Sequence, residues 1–288
     1  MTLMRQFRRY PAVRLEDFRR FMVAGKHVGW VVPDFATALA AYPHVFHVDE
    51  ETVTLQPRLG DFEARSEAVA EVLATLRAEG KVPGWRNELY AVAQGFHDAP
   101  LLEMERAATV LFGTLAYGVN LNGYVGRGWG MKLWIARRAD TKPVDPGMLD
   151  LIVGGGQPSG ISPWNNLMKE CHEEAGMPEA LARNARPVGI ITLAVLIEGL
   201  MRIGLQFNYD LELPEDFAPR NTDGEVAAFM LIPVGELIER LKSADEFSYD
   251  VALVLIDFLI RQGFVGPDDP DFLELIANLR RPIPWVTA

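Results

Sequence analysis

The segment Gly154-Gly155-Gly156-Gln157-Pro158-Ser159-Gly160-Ile161-Ser162-Pro163 runs into Trp164–Ala175 and closes on Gly176. Three glycines in a row let a backbone pass where no side chain fits. Ser162 is a good N-cap, Pro163 suits the first helical position, and Gly176 suits the residue just past the last turn. The pattern therefore predicts a helix over 163–175, entered from a Gly-rich turn. Inside it Glu170, Glu173 and Glu174 stand at i, i+3 and i+4, on one face, while Leu167 and Cys171 form an apolar pair suited to the core. Crowded carboxylates raise each other's pKa unless a cation intervenes, and a hard divalent ion takes oxygen ligands. Three glutamates alone would read as a solvated helix end; the Gly-rich approach and the fixed spacing favour a site. His172, between the glutamates, reads as exposed, and Cys171 as a small packed residue.

Composition narrows the classes. The 288 residues are 49% hydrophobic and 23% charged, as in an ordinary globular chain of one large or two modest domains. The single cysteine excludes a disulfide framework and a zinc site of several thiolates. A net charge of −11 argues against broad nucleic-acid binding. No apolar run reaches the ~18–20 residues of a membrane helix. The expectation is a cytoplasmic protein without a membrane or nucleic-acid partner. The stretch 1–26 is basic but lacks serine. It reads as the solvated face of a helix with Leu15, Phe18 and Met22 turned to the core, and not as a targeting segment.

The first hundred residues predict a small α/β unit. A helix is expected over 11–25, ending at Gly25, then a strand over 27–32, and a short helix from Asp34 carrying Phe35 and Leu39. Strands at 45–48 and 53–55 flank an acidic turn, and a helix spans 62–79 with Val69, Val72, Leu73 and Leu76 on one stripe. Asp98-Ala99-Pro100 breaks the pattern, giving units of 1–100 and 101–288. The second unit predicts strands at 111–119, 132–138, 187–197, 202–213 and 225–234, and closing helices at 234–241, 249–260 and 271–279. Mixed strands with an inserted helix and C-terminal helices argue for a layered α/β sandwich.

The segment from Gly155 to Met177 resembles the Nudix box, G-x5-E-x7-R-E-U-x-E-E-x-G-U, with U aliphatic. Gly155, Glu170, Glu173, Glu174, Gly176 and Met177 match; Ile161 stands at the first glutamate, Lys169 at the arginine and Cys171 at an aliphatic position. In the family the missing glutamate–arginine pair braces the loop. Runs such as Gly84-Trp85-Arg86-Asn87-Glu88, Trp134-Ile135-Ala136-Arg137-Arg138, Thr141-Lys142-Pro143 and Pro146-Gly147-Met148-Leu149-Asp150 resemble one branch. That branch joins an N-terminal domain of unknown function to a Nudix domain and includes the Nudix half of fungal thiamine pyrophosphokinase fusions.

The resemblance implies an α/β/α Nudix sandwich with a mixed sheet, and a pyrophosphohydrolase using Mg²⁺ or Mn²⁺. Its substrate would be a small organic diphosphate, with thiamine diphosphate or a damaged analogue as the branch suggests. Glu170, Glu173 and Glu174 would be metal ligands, helped by a carbonyl of Gly154 or Gly155, and Glu225 a late base or ligand. Arg137, Arg138 and Lys142 are candidates for the diphosphate; strand alternation turns at most one of the two arginines to the pocket. For Trp85, Trp129 and Trp164 core packing is favoured over stacking on a substrate ring. A homodimer is the candidate assembly. An isopentenyl-diphosphate isomerase would need a cysteine outside this helix, and there is none. The alternative kept open by Ile161 and Lys169 is a low-activity or non-catalytic nucleotide- or diphosphate-binding module.

Overall fold

A computed structural model describes residues 2–10, 13–142, 144–222 and 224–283. Residues 11 and 12 of the expected first helix, Pro143 and Asp223 lie outside the described residues.

The remainder of that expected helix is not helical. A short 3-10 turn at Leu15–Asp17 leads into strand β1 (Arg19–Val23), which pairs antiparallel with β2 (Lys26–Val31). The turn between them, Ala24-Gly25, has φ of 49° and 77°. Two left-handed residues make a tight hairpin whose twist matches the strands. Phe21 and Val23 are buried while Met22 is half exposed, a period of two that the helical reading of Leu15, Phe18 and Met22 missed.

The hairpin extends into a four-stranded sheet of order β2-β1-β4-β3, with β3 at Phe46–Val48 and β4 at Thr52–Leu55. Helices α1 (Pro33–Leu39) and α2 (Phe62–Ala78) accompany it. Asp61 caps α2 by accepting from the Ala64 N–H at 2.8 Å, and Val69, Val72, Leu73 and Leu76 are buried on its inner stripe. Strands β5 (Leu89–Val92) and β6 (Leu102–Glu105) form a separate hairpin, so Asp98–Pro100 lies in the turn between two paired strands.

Residues expected to begin a strand at 111 form helix α3 (Thr109–Phe112) instead, and β7 runs over Leu115–Val125. The cause is tertiary. Phe112 packs between Phe21 and Phe46, at ring-centroid distances of 4.6 and 6.0 Å. Gly113, at φ 56°, then turns the chain against the Trp30 backbone, where the Cβ of any other residue would collide.

The large sheet has seven strands. Its path is β11-β12-β7-β8-β13, with β8 at Lys132–Arg138, β11 at Arg186–Ile197, β12 at Leu200–Glu212 and β13 at Val226–Pro233. Strand β9 (Leu149–Leu151) pairs with β8, and β10 (Val153–Gly156) pairs antiparallel with β7. Strands β7 and β12 are parallel and the other pairs in this sheet antiparallel, which makes the sheet mixed. Helix α4 (Pro163–Ala175) covers one face, burying Leu167, Cys171 and Ala175 with Val119, Leu121 and Tyr209, and the short α5 (Glu179–Ala182) follows it. Helices α6 (Val234–Ser243), α7 (Tyr249–Arg261) and α8 (Phe272–Leu279) cover the other through Leu237, Leu255 and Leu275. This is the expected α/β/α sandwich.

The N-terminus belongs physically to that second core. Leu3 and Met4 are buried among α6, α7 and α8. Gln6, fully buried, donates to the carbonyls of Leu241 at 2.6 Å and Ala244 at 3.1 Å. Arg5 reaches Asp245 at 3.0 Å, so part of the basic segment is paired.

Candidate functional site

The Gly-rich strand β10 runs along β7 with Gly154 opposite Asn120 and Gly155 opposite Val119. Gly155 therefore faces α4, and the Glu170 side chain fills the space: a Cβ there would stand 2.6 Å from Glu170 Cγ. Gly154 donates its N–H to Glu174 Oε2 at 2.8 Å. The helix carrying these carboxylates is held at both ends. Ser162 accepts from the Asn165 N–H at 3.2 Å, and at the far end Gly176 (φ 58°) lets the Met177 N–H reach the Cys171 carbonyl at 2.9 Å.

The three glutamates differ in depth. Glu174 is buried, Glu170 keeps 13% of its side chain exposed and Glu173 keeps 42%. Burial, with Asp150 and then Glu170 as like-charged neighbours, pushes the Glu174 carboxyl up to about 8. Burial also raises Glu170, against the opposing pull of Lys169. The Lys169 ammonium bridges Glu170 and Glu173 at 3.2 and 3.3 Å. Asp150 went unnoticed as an acid of the site, because nothing in its local sequence shows that β9 brings it beside Glu174. It accepts from Arg138 at 2.6 Å.

An all-oxygen donor set of Glu170, Glu173 and Glu174, with Glu174 buried beside the like-charged Asp150 and Glu170 and opposed by Lys142, suits a hard divalent ion in chemistry. Among the described residues no three acidic, histidine or cysteine side chains already stand close enough together to grip one. The carboxylates held by Lys169 have to swing from it to do so.

The candidate cations are engaged. Arg138 spends its guanidinium on Asp150 and on the carbonyls of Val144 and Asp145. Arg137, on the other side of the strand, is half exposed and 3.7 Å from Asp140. Lys142 is paired with Glu225, which precedes β13. Glu225 is brought near by the 220–222 loop, where Arg220 and Thr222 donate to the Ala175 and Glu173 carbonyls of α4.

The loop brace has been replaced. Asn166, with no exposure, donates to the Gly156 carbonyl at 2.8 Å, and Gln157, nearly buried, donates to the Ile161 carbonyl at 2.6 Å. Two neutral carboxamides thus tie the turn where the motif the segment resembles has a charged pair and this chain has Ile161 and Lys169. Of the tryptophans, Trp85 lies under the Arg77 guanidinium, Trp129 is 72% exposed with one edge contact to Phe264, and Trp164 lines a groove with Met168 and His172 on the outer side of α4.

A layered sheet whose glycine strand packs against a glutamate-bearing helix defines the class, and comparison with known proteins supplies the family. Residues 1–116 match the model of a domain of unknown function, DUF4743. The chain is 40% identical over 276 residues to Nudix hydrolase 20, chloroplastic, of Arabidopsis thaliana, and 39% over 269 to Nudix hydrolase 24, chloroplastic, of the same plant. Each match covers 93% of this chain and 74% of the relative. A solved structure from Deinococcus radiodurans is 20% identical, with a TM-score of 0.44, over 61% of this chain and 99% of its own. The chain belongs to the Nudix hydrolase family. None of its described helices is long and apolar enough to cross a membrane.

Proposed function

We propose that this chain hydrolyses the diphosphate linkage of a small organic diphosphate with the help of Mg²⁺ or Mn²⁺ held by Glu170, Glu173 and Glu174. Family membership supports the reaction class. The observation that carries the metal reading is Glu174: a buried carboxylate, oriented by the Gly154 N–H, beside Asp150 and Glu170. When bound, a divalent ion neutralises charge on the phosphates and activates water. The chain's own part is positioning. β10 sets three consecutive glycines against α4 and the β5–β6 hairpin, Glu174 is held by its hydrogen bond to Gly154, and Glu225 is paired with Lys142. Phosphoryl transfer depends mainly on such placement and charge neutralisation.

Thiamine diphosphate or a damaged analogue is the substrate to try first, on the resemblance to the thiamine pyrophosphokinase fusions. A small-molecule partner, a cytoplasmic location and a homodimer complete the reading. The deciding experiment is phosphate release from thiamine diphosphate analogues, ADP-ribose, dinucleotides and nucleoside triphosphates with each metal, for the wild type, Glu173→Gln and Glu174→Gln. Both variants should fold and lose hydrolysis by orders of magnitude. Equal activity in excess chelator rejects the metal reading. A ~100-fold preference for a nucleotide, about 2.7 kcal/mol of transition-state binding, rejects the thiamine substrate.

A further inference from the structure

We infer that the N-terminal unit completes the active site, and that Arg86 and Arg106 bind the phosphate oxygens of the substrate. This rests on the diphosphate reading above. The β5–β6 hairpin is seated directly on the glycine turn. Ser159 donates its N–H to the Leu89 carbonyl at 2.9 Å. A Cβ on Gly156 would overlap the Tyr90 hydroxyl and stand 2.9 Å from Arg106 Cζ. The third glycine of the motif is thus shaped around two side chains of the N-terminal unit.

Arg106 is fixed from one side. Its Nη1 holds Glu88 Oε2 at 2.8 Å and its guanidinium lies 5.5 Å from the centre of the Tyr90 ring, while Nη2 points toward Gly156. Arg86 is fixed only by its backbone, whose N–H donates to buried Glu105 at 2.8 Å. Among the described residues its guanidinium has neither an ion-pair nor a hydrogen-bond partner. By contrast, the guanidiniums of Arg65, Arg138 and Arg261 are spent on carbonyls or carboxylates. Yet Arg86 is half buried, and burial together with the charges of Arg106 and Arg138 weakens its hold on its proton, outweighing the opposing pull of Glu88 and Glu105.

A half-buried guanidinium among like charges is costly unless an anion joins it, and its planar fork suits phosphate. Lys142 and Arg138 already answer Glu225 and Asp150. Lys169 is taken up by Glu170 and Glu173, so among the described residues around the glycine strand the cationic capacity left is Arg86, beside Arg106 and Lys142, and the inner edge of Arg106.

The test is calorimetric binding of methylenediphosphonate, a non-hydrolysable diphosphate, with Mg²⁺ to the full chain, alongside KM and kcat for its best diphosphate substrate. Arg86→Ala should weaken methylenediphosphonate binding at least ~10-fold and raise KM more than it lowers kcat, with the melting temperature kept. Arg86→Lys, which keeps the charge without the fork, should recover part of the loss, and it decides the matter if the alanine variant unfolds. Wild-type affinity and KM in Arg86→Ala, or no binding by the wild type, overturns the inference. If the wild type binds in an Arg86-dependent way but turns over no diphosphate, the hydrolase reading fails and this one stands. If hydrolysis proceeds without regard to Arg86, the reverse holds.

Discussion

The Asn166 amide, fully buried in the first turns of α4, donates to the Gly156 carbonyl at 2.8 Å and so locks the glycine strand to the helix that carries the glutamates. The Gln157 amide spans the same turn to Ile161. Asn166→Ala removes the partner of a half-buried carbonyl, which costs about 1 kcal/mol. We expect a lower melting temperature and a fall in kcat/KM of about tenfold or more, because the loop and Glu170 lose their shared register. Unchanged kinetics would show that the turn is held by its backbone alone.

Lys169 occupies the position a cation would take between Glu170 and Glu173. Lys169→Met removes that competitor, so Mg²⁺ should bind the chelator-treated protein about 3–10-fold more tightly, about 0.7–1.4 kcal/mol. Calorimetric titration reads the change directly. An unaltered affinity would place the ion away from these two carboxylates.

His27 sits half buried at the β1–β2 hairpin, edge-on to Trp30 with ring centroids 4.6 Å apart, and burial lowers its pKa from the usual 6.5. A depressed folded pKa means the unfolded chain takes up the proton first. Its stability contribution is present above about pH 6.5 and is lost as pH falls through the folded value. Urea unfolding between pH 5 and 8 should show this loss in the wild type and a smaller one in His27→Gln. Equal slopes would assign the pH dependence to other groups.

Gln6 ties the N-terminal turn to the end of α6 through two carbonyls. Gln6→Leu should destabilise the chain by about 1–3 kcal/mol, since both acceptors lose a buried partner. Chemical unfolding measures it; a neutral result would mean that the α6 end is satisfied without Gln6.

How much of this was legible in advance depended on the range of the interactions involved. Helix α4 follows from Ser162, Pro163 and Gly176, and β8 over Lys132–Arg138 from its apolar alternation, because capping and strand period act within a few residues. The Nudix motif is a local string and is legible for the same reason. The stretch before Gly25 was misread as a helix because its spacing of Leu15, Phe18 and Met22 mimics a helical stripe, whereas a tight turn at Ala24-Gly25 and pairing with β2 and β4 settle it as a strand. Thr109–Phe112 became a helix for a similar reason: Phe112 is claimed by a core that includes Phe21, Phe35 and Phe46, all far away along the chain.

The carboxylate face of α4 is determined by the sequence alone, through the i, i+3, i+4 spacing of Glu170, Glu173 and Glu174. Their unequal burial, the arrival of Asp150 beside Glu174, the pairing of Lys142 with Glu225 and the seating of Tyr90 and Arg106 on Gly156 are determined only by the tertiary structure. Backbone periodicity and capping are properties of neighbours along the chain. Desolvation and charge pairing depend on which distant segments the sheet and hairpin bring within a few ångströms, and no local pattern encodes that.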